Sequence, residues 1–137
     1  MFLANLGDAI LLRQKSSALV LGGETTVRLN LEVNGIGGRN QEAILSAALN
    51  WEFPPNLDVA ITCMSTDGID GNSRAAGAVL TSRTIRKIKR SRTSLMTSLR
   101  KHDSYNALKR IGAVAVTRKT GTNLNDITIL CSMGRYS

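Results

Sequence analysis

Aromatic residues are scarce in this chain, with two Phe, two Tyr and one Trp among 137 residues. A platform for stacking single-stranded bases is therefore not expected. Histidine is scarcer still: His102 stands alone, and Cys63 and Cys131 are far from it and from each other, so a zinc site lacks ligands. Both cysteines sit inside apolar runs, where a free thiol behaves as a small hydrophobe, and the reading is a reduced, cytoplasmic protein. The only two prolines are adjacent, Pro54-Pro55, where they end a helix and open a loop. No Gly-x4-Gly-Lys-Ser/Thr phosphate loop is present. The run GIGGRN puts Asn40 where a dinucleotide fingerprint needs its last glycine, which argues against a nicotinamide site there. No apolar run is long enough to span a membrane, and Met1 to Ser17 has no basic start or small-residue cleavage site. Neither export nor membrane anchoring is expected.

Acidic residues are missing from one half. The net charge of +8 divides into −3 for residues 1–74, with five Lys+Arg against eight Asp+Glu, and +11 for residues 75–137, with thirteen against two. From Asn72 to His102 there is no carboxylate at all, while Arg83, Arg86, Lys87, Lys89, Arg90, Arg92, Arg100 and Lys101 are basic. One strongly positive face follows, open to an anionic substrate, an acidic partner or nucleic acid. The shortage of aromatics weighs against nucleic acid.

The length fits one domain, able to bury roughly two thirds of its unfolded surface without a disulfide. Residues 1–16 have no clean period. Ser17 to Leu21 reads as a short strand, and Thr25 to Val33 alternates apolar Val27, Leu29, Leu31 and Val33 with polar neighbours, a strand with one wet face. The two could pair as a hairpin around Gly22-Gly23-Glu24. Asn34 to Asn50 is a glycine-rich turn running into a helix, with Asn40 as its cap and Ile44, Leu45, Ala48 and Leu49 on its apolar face. Asp58 to Met64 is almost wholly apolar and reads as a strand covered on both faces. Small residues from Ala75 to Val79 suit close helix-on-sheet packing. Thr81 to Lys89 is a basic helix with Ile85 and Ile88 inward, and Thr93 to Leu99 a further helical turn. Asp103 or Ser104 caps a helix that buries Tyr105, Leu108 and Ile111. Ala113 to Thr117 and Ile127 to Met133 are the remaining strands. The expected fold is α/β, a single domain with a mixed β-sheet flanked by helices.

Three polar loops follow strands and lead towards helices or strands, where α/β sheets gather ligands. In the first, Gly35, Gly37 and Gly38 allow left-handed or very close-approach backbone, the first-turn N–H groups of the helix suit a phosphate or carboxylate, and Arg39 adds a planar cation. Glu42 competes for the same helix end. In the second, Thr66 to Asn72, Asp67 and Asp70 could hold Mg2+ or orient a hydroxyl, or simply make Asx turns. In the third, Thr120, Gly121, Thr122 and Asn123 offer hydroxyl, amide and backbone groups suited to phosphate or sugar oxygens, and equally form an ordinary turn. His102, Asp103 and Ser104 are not a hydrolase triad, since consecutive side chains diverge; His102 reads as a surface or helix-start residue.

GGETTV (Gly22 to Val27), GIGGRNQE (Gly35 to Glu42), STDGIDGNSRAAGAV (Ser65 to Val79), HDSY (His102 to Tyr105) and TGTNLNDITIL (Thr120 to Leu130), in that order, resemble the C-terminal (MOFRL) domain of the glycerate 2-kinase family. The resemblance runs from about Leu19 to Leu130. It implies a MOFRL-like domain over residues 17–137, working with an N-terminal nucleotide and substrate domain that this chain does not contain. The implied reaction is transfer of the ATP γ-phosphate, with Mg2+, to the 2-hydroxyl of D-glycerate in a cleft between the two domains. On that resemblance Arg39 and Asp67 would be catalytic, Gly37, Gly38, Asn40, Asp70, Thr120, Gly121, Thr122 and Asn123 would bind substrate or phosphate, and Asp67 and Asp70 could meet the metal. The chain alone would then be inactive. A stand-alone anion-binding or regulatory module and a hydroxypyruvate reductase are the alternatives, and self-association stays open.

Overall fold

Apolar residues at every second position give one strand a dry face, and the sheet is built outward from it. The computed structural model describes residues 3, 16–29, 34–53 and 57–134. Strand β2 (Leu57–Ser65) buries Val59, Ile61 and Cys63 on one face and leaves Ala60, Thr62 and Met64 half-covered on the other, so it is sealed on one side and not on both. Its neighbours are β3 (Gly77–Thr81) and β5 (Asp126–Gly134). Outside these lie β4 (Val114–Ala115) beside β3 and β1 (Ser17–Gly23) beside β5, giving the order β1-β5-β2-β3-β4. The expected α/β domain is present. All four ladders are antiparallel, where some parallel pairing was expected. A single row crosses the sheet, Leu19 and Leu130 on one side of Ile61 and Leu80 on the other, and it faces the helices.

Helix α1 (Arg39–Asn50) lays Ile44, Leu45, Ala48 and Leu49 onto that face. Helix α2 (Ser82–Arg100) adds Ile88 and Leu95, one seven-residue step apart, and α3 (Ser104–Ile111) adds Ala107, Leu108 and Ile111. The basic helix and the further helical turn expected from the sequence are one helix of 19 residues, because no glycine or proline interrupts them. Thr81 and Thr84 cap its start reciprocally, Thr84 N donating to Thr81 Oγ1 at 3.3 Å and Thr81 N to Thr84 Oγ1 at 2.8 Å. Gly112, left-handed at φ 74°, ends α3. No helix among the described residues is long and apolar enough to cross a membrane.

Other departures have local causes. Residues 24–29 are irregular, so the wet-faced strand is not formed over its described part, and β1 takes β5 as its partner in place of a hairpin with it. Residues 30–33, the Pro54-Pro55 loop and nearly all of residues 1–16 lie outside the described residues. The small residues from Ala75 lead into β3 itself, where a Cβ on Gly77 would run into the backbone of Cys63 and Met64 on β2; α1 packs on β3. Asn40 lies within the first turn of α1, and Gly38 is the residue before the helix.

Candidate functional site

The amino end of α1 is clamped from two sides. Ile36 N donates to Asp103 Oδ1 at 3.1 Å and Tyr105 N donates to Ile36 O at 2.8 Å, strapping the glycine loop to the start of α3. On the other side Asn72 receives Gly37 N on Oδ1 at 2.8 Å and gives Nδ2 to Gly35 O at 3.1 Å. Gly38 has extended backbone, φ −159°, so conformation does not demand glycine there. Close approach does: a Cβ would run into the Asp70 carboxylate.

That carboxylate, 2% exposed, occupies the helix end. Asp70 Oδ1 accepts from Asn40 N at 3.1 Å and Asn40 Nδ2 at 3.3 Å, while Oδ2 accepts from Gln41 N and Gln41 Nε2, both at 2.9 Å. Gln41 Nε2 also donates to Ser73 Oγ at 2.7 Å. A protein carboxylate thus sits where the sequence suggested an external anion, and it accepts the N–H groups at the helix end. Asp70 is consequently a strut of the loop.

Next to this strut opens a cavity of about 720 Å³. Gly37, Gly38, Arg39, Asp67, Asp70 and Asn123 all contribute to its lining, so the three loops do converge. Arg39 is held on one side by Asp126, with Nε at 2.7 Å from Oδ2 and Nη2 at 3.1 Å from Oδ1, and on the other by Glu24, 3.0 Å from Nη1. The Asp126 hydrogen bond is the main reason the guanidinium is raised above its ordinary pKa. For Asp126, burial pushes the pKa up, but hydrogen bonds from Arg39 and Asn40, the Arg39 charge and the Thr25 N–H together hold it below the usual carboxylate value. The side chain of Asp126 is 4% exposed and that of Glu24 54%, so the first partner is fixed and the second is replaceable. Asp67 Oδ1 accepts its own loop's Ile69 N–H at 2.9 Å, an Asx turn, while it faces the cavity.

Asn40 is buried and does not line the cavity. Nor do Thr120, Gly121 and Thr122. Thr120 Oγ1 donates to Thr66 O at 2.6 Å and Thr120 N to Asp67 O at 3.1 Å, so this turn braces the Asp67 loop from behind. Sequence reasoning missed Glu24, Asn72 and Asp126, and it read His102 as a surface or helix-start residue; His102 directly precedes Asp103, the residue before α3. His102 is half-buried, its Nδ1 2.7 Å from Glu42 Oε1, and both residues line the cavity. The only local signal was Glu42, free to turn away once Asp70 had taken the helix end.

Loops at one end of a helix-covered sheet bring an arginine and a carboxylate to one cavity, in a domain of the α/β class. The chain belongs to the MOFRL family, whose model matches residues 17–126. It is 44% identical over 117 residues to a D-glycerate 2-kinase of Thermotoga maritima, covering 85% of this chain and 27% of that protein. The crystal structure of a Thermotoga maritima glycerate kinase superposes with a TM-score of 0.83 at 40% identity, over 95% of this chain and 31% of the other. A putative hydroxypyruvate reductase of Agrobacterium vitis is 41% identical over 111 residues, 81% of this chain and 28% of its own length. The chain therefore spans between about a fifth and a third of the relatives it matches.

Proposed function

We propose that this chain is the MOFRL domain of an ATP-dependent glycerate 2-kinase, forming one wall of a cleft that an N-terminal domain completes. The observation carrying this is the convergence of Arg39, Asp67 and Asn123 from three separate loops on one cavity. D-Glycerate and its phosphorylated product are small acids, and the wall has one cation suited to them. Asp126 fixes the plane of the Arg39 guanidinium, and the substrate carboxylate or a phosphoryl oxygen takes the place of Glu24 at Nη1. Asn123 offers an amide to the same space.

Mg2+ needs few protein oxygens when it also binds nucleotide phosphates and water. Asp67 fits as a single carboxylate ligand; Asp70 does not, because four N–H groups already occupy its oxygens. Bound metal and ATP supply the phosphoryl group and neutralise its charge. This wall contributes orientation of the acid and, through the Asp70 strut, a rigid loop. The setting we propose is the cytoplasm. The reductase name borne by some relatives finds no support in the GIGGRN run, which lacks the third glycine of a dinucleotide site.

The test is phosphorylation of D-glycerate by the chain with and without an N-terminal domain supplied from a relative. Activity only in the joined protein, reduced at least a hundredfold by Arg39→Ala, supports the reading. Full activity in the joined Arg39→Ala protein overturns it.

A further inference from the structure

Arg83, Arg86, Lys87 and Arg90 recur at i, i+3, i+4 and i+7 of α2, forming one stripe about 10 Å long on the helix surface. Arg110 of α3 stands opposite, and with Ser91 and Ser94 these residues line a groove of about 630 Å³ floored by Leu95 and Ile111. The groove shares no residue with the glycine-loop cavity. No carboxylate lines it. Among the described residues Arg83, Arg86 and Arg90 are exposed and join none of the ion pairs. Arg110 Nη2 donates to Ser98 Oγ at 3.1 Å and Lys87 Nζ to Ile111 O at 3.2 Å, which holds the two walls together without neutralising either charge.

Such a stripe works against the fold that carries it. Like charges one turn apart repel. The first turn of α2 has no acidic residue and carries Arg83 at the end of the dipole that disfavours a cation. No carboxylate lining the groove offsets these two costs.

We propose that the α2–α3 groove docks the phosphate backbone of duplex nucleic acid without regard to base sequence. The lining consists of guanidinium, ammonium and hydroxyl groups, the donors that meet phosphate oxygens and set position. It contains no aromatic ring for an unpaired base and no Asn or Gln for an adenine edge. The aromatic shortage that argues against single strands leaves a duplex untouched, because its bases stack on one another and its phosphates face outward. A stripe of about 10 Å spans roughly three phosphates of one strand at 3.4 Å of axis each, and Arg110 reaches from the other wall. The proposal is independent of the kinase reading.

The experiment is fluorescence anisotropy of the chain with a labelled 20-base-pair DNA duplex between 50 and 300 mM salt. Four to five neutralised phosphates correspond to a slope of log K against log salt of about −3.6 to −4.5. Two unrelated duplex sequences should bind within about threefold of each other. Arg86→Ala with Arg90→Ala should flatten the slope by about two and weaken binding at least tenfold at 50 mM salt. Arg100→Ala with Lys101→Ala removes the same charge from outside the groove and should cost less than threefold. Equal losses from the two pairs, tighter binding to a single strand than to the duplex, or no binding at 50 mM salt each overturn the proposal. Circular dichroism of the variants, all at exposed positions, verifies that the fold is retained.

Discussion

Asp70 Oδ2 accepts the backbone N–H of Gln41 at 2.9 Å across 29 residues of sequence, so the loop after β2 caps the helix before it. Because the carboxylate is buried and shared among four donors, its loss strands several of them. Asp70→Ala should cost about 3 kcal/mol. For a domain of this size that corresponds to a drop in Tm of roughly 10 °C, measured by circular dichroism.

Arg39 and Asp126 form the second internal tie, and its pH dependence has a definite sign. The folded Asp126 pKa is depressed, so the pair contributes stability above the unfolded value of about 3.9 and loses it as pH falls through the lower folded value. Arg39→Ala leaves Asp126 charged, buried and without its main partner, at a cost of about 2–4 kcal/mol at pH 7. Denaturant unfolding of both proteins should show that gap closing towards pH 2.

Gly38 and Gly22 separate close approach from mere flexibility. A Cβ on Gly38 meets the Asp70 carboxylate, whereas one on Gly22 meets nothing within 4 Å. Gly38→Ala should displace the strut and destabilise by about 2 kcal/mol, while Gly22→Ala should be neutral or stabilise by a few tenths. Paired thermal melts compare the two directly.

Cys63 is fully buried, and burial pushes its thiol up to about 11, opposed only in part by the Thr128 hydroxyl at 3.0 Å. The native protein should therefore alkylate slowly at this position at pH 8. Mass spectrometry after iodoacetamide treatment, with and without denaturant, should find Cys63 modified only when the chain is unfolded.

Much of the fold was legible because strand and helix periods are local. The apolar run of residues 58–64 marked β2, Ile85 and Ile88 marked the inward face of α2, and the bounds of β2, β5 and α3 match their apolar runs closely. Turn residues marked the three loops. Strand partners were not legible: β1 pairs β5, more than a hundred residues away, and the alternation of 25–29 gains no partner. Pairing depends on which surfaces meet after collapse, and no window of sequence carries that.

The site divides the same way. Residue types alone determined a basic half, a glycine-rich approach to a helix, and motifs that resemble one family. Only tertiary structure decided what each charge faces. It gave Asp70 to the helix end and Asp126 to Arg39, turned Glu42 towards His102, and gathered five cations into a groove apart from the cavity. The reason is that hydrogen bonds and charge pairs act over a few ångströms, and folding sets which residues lie within that range.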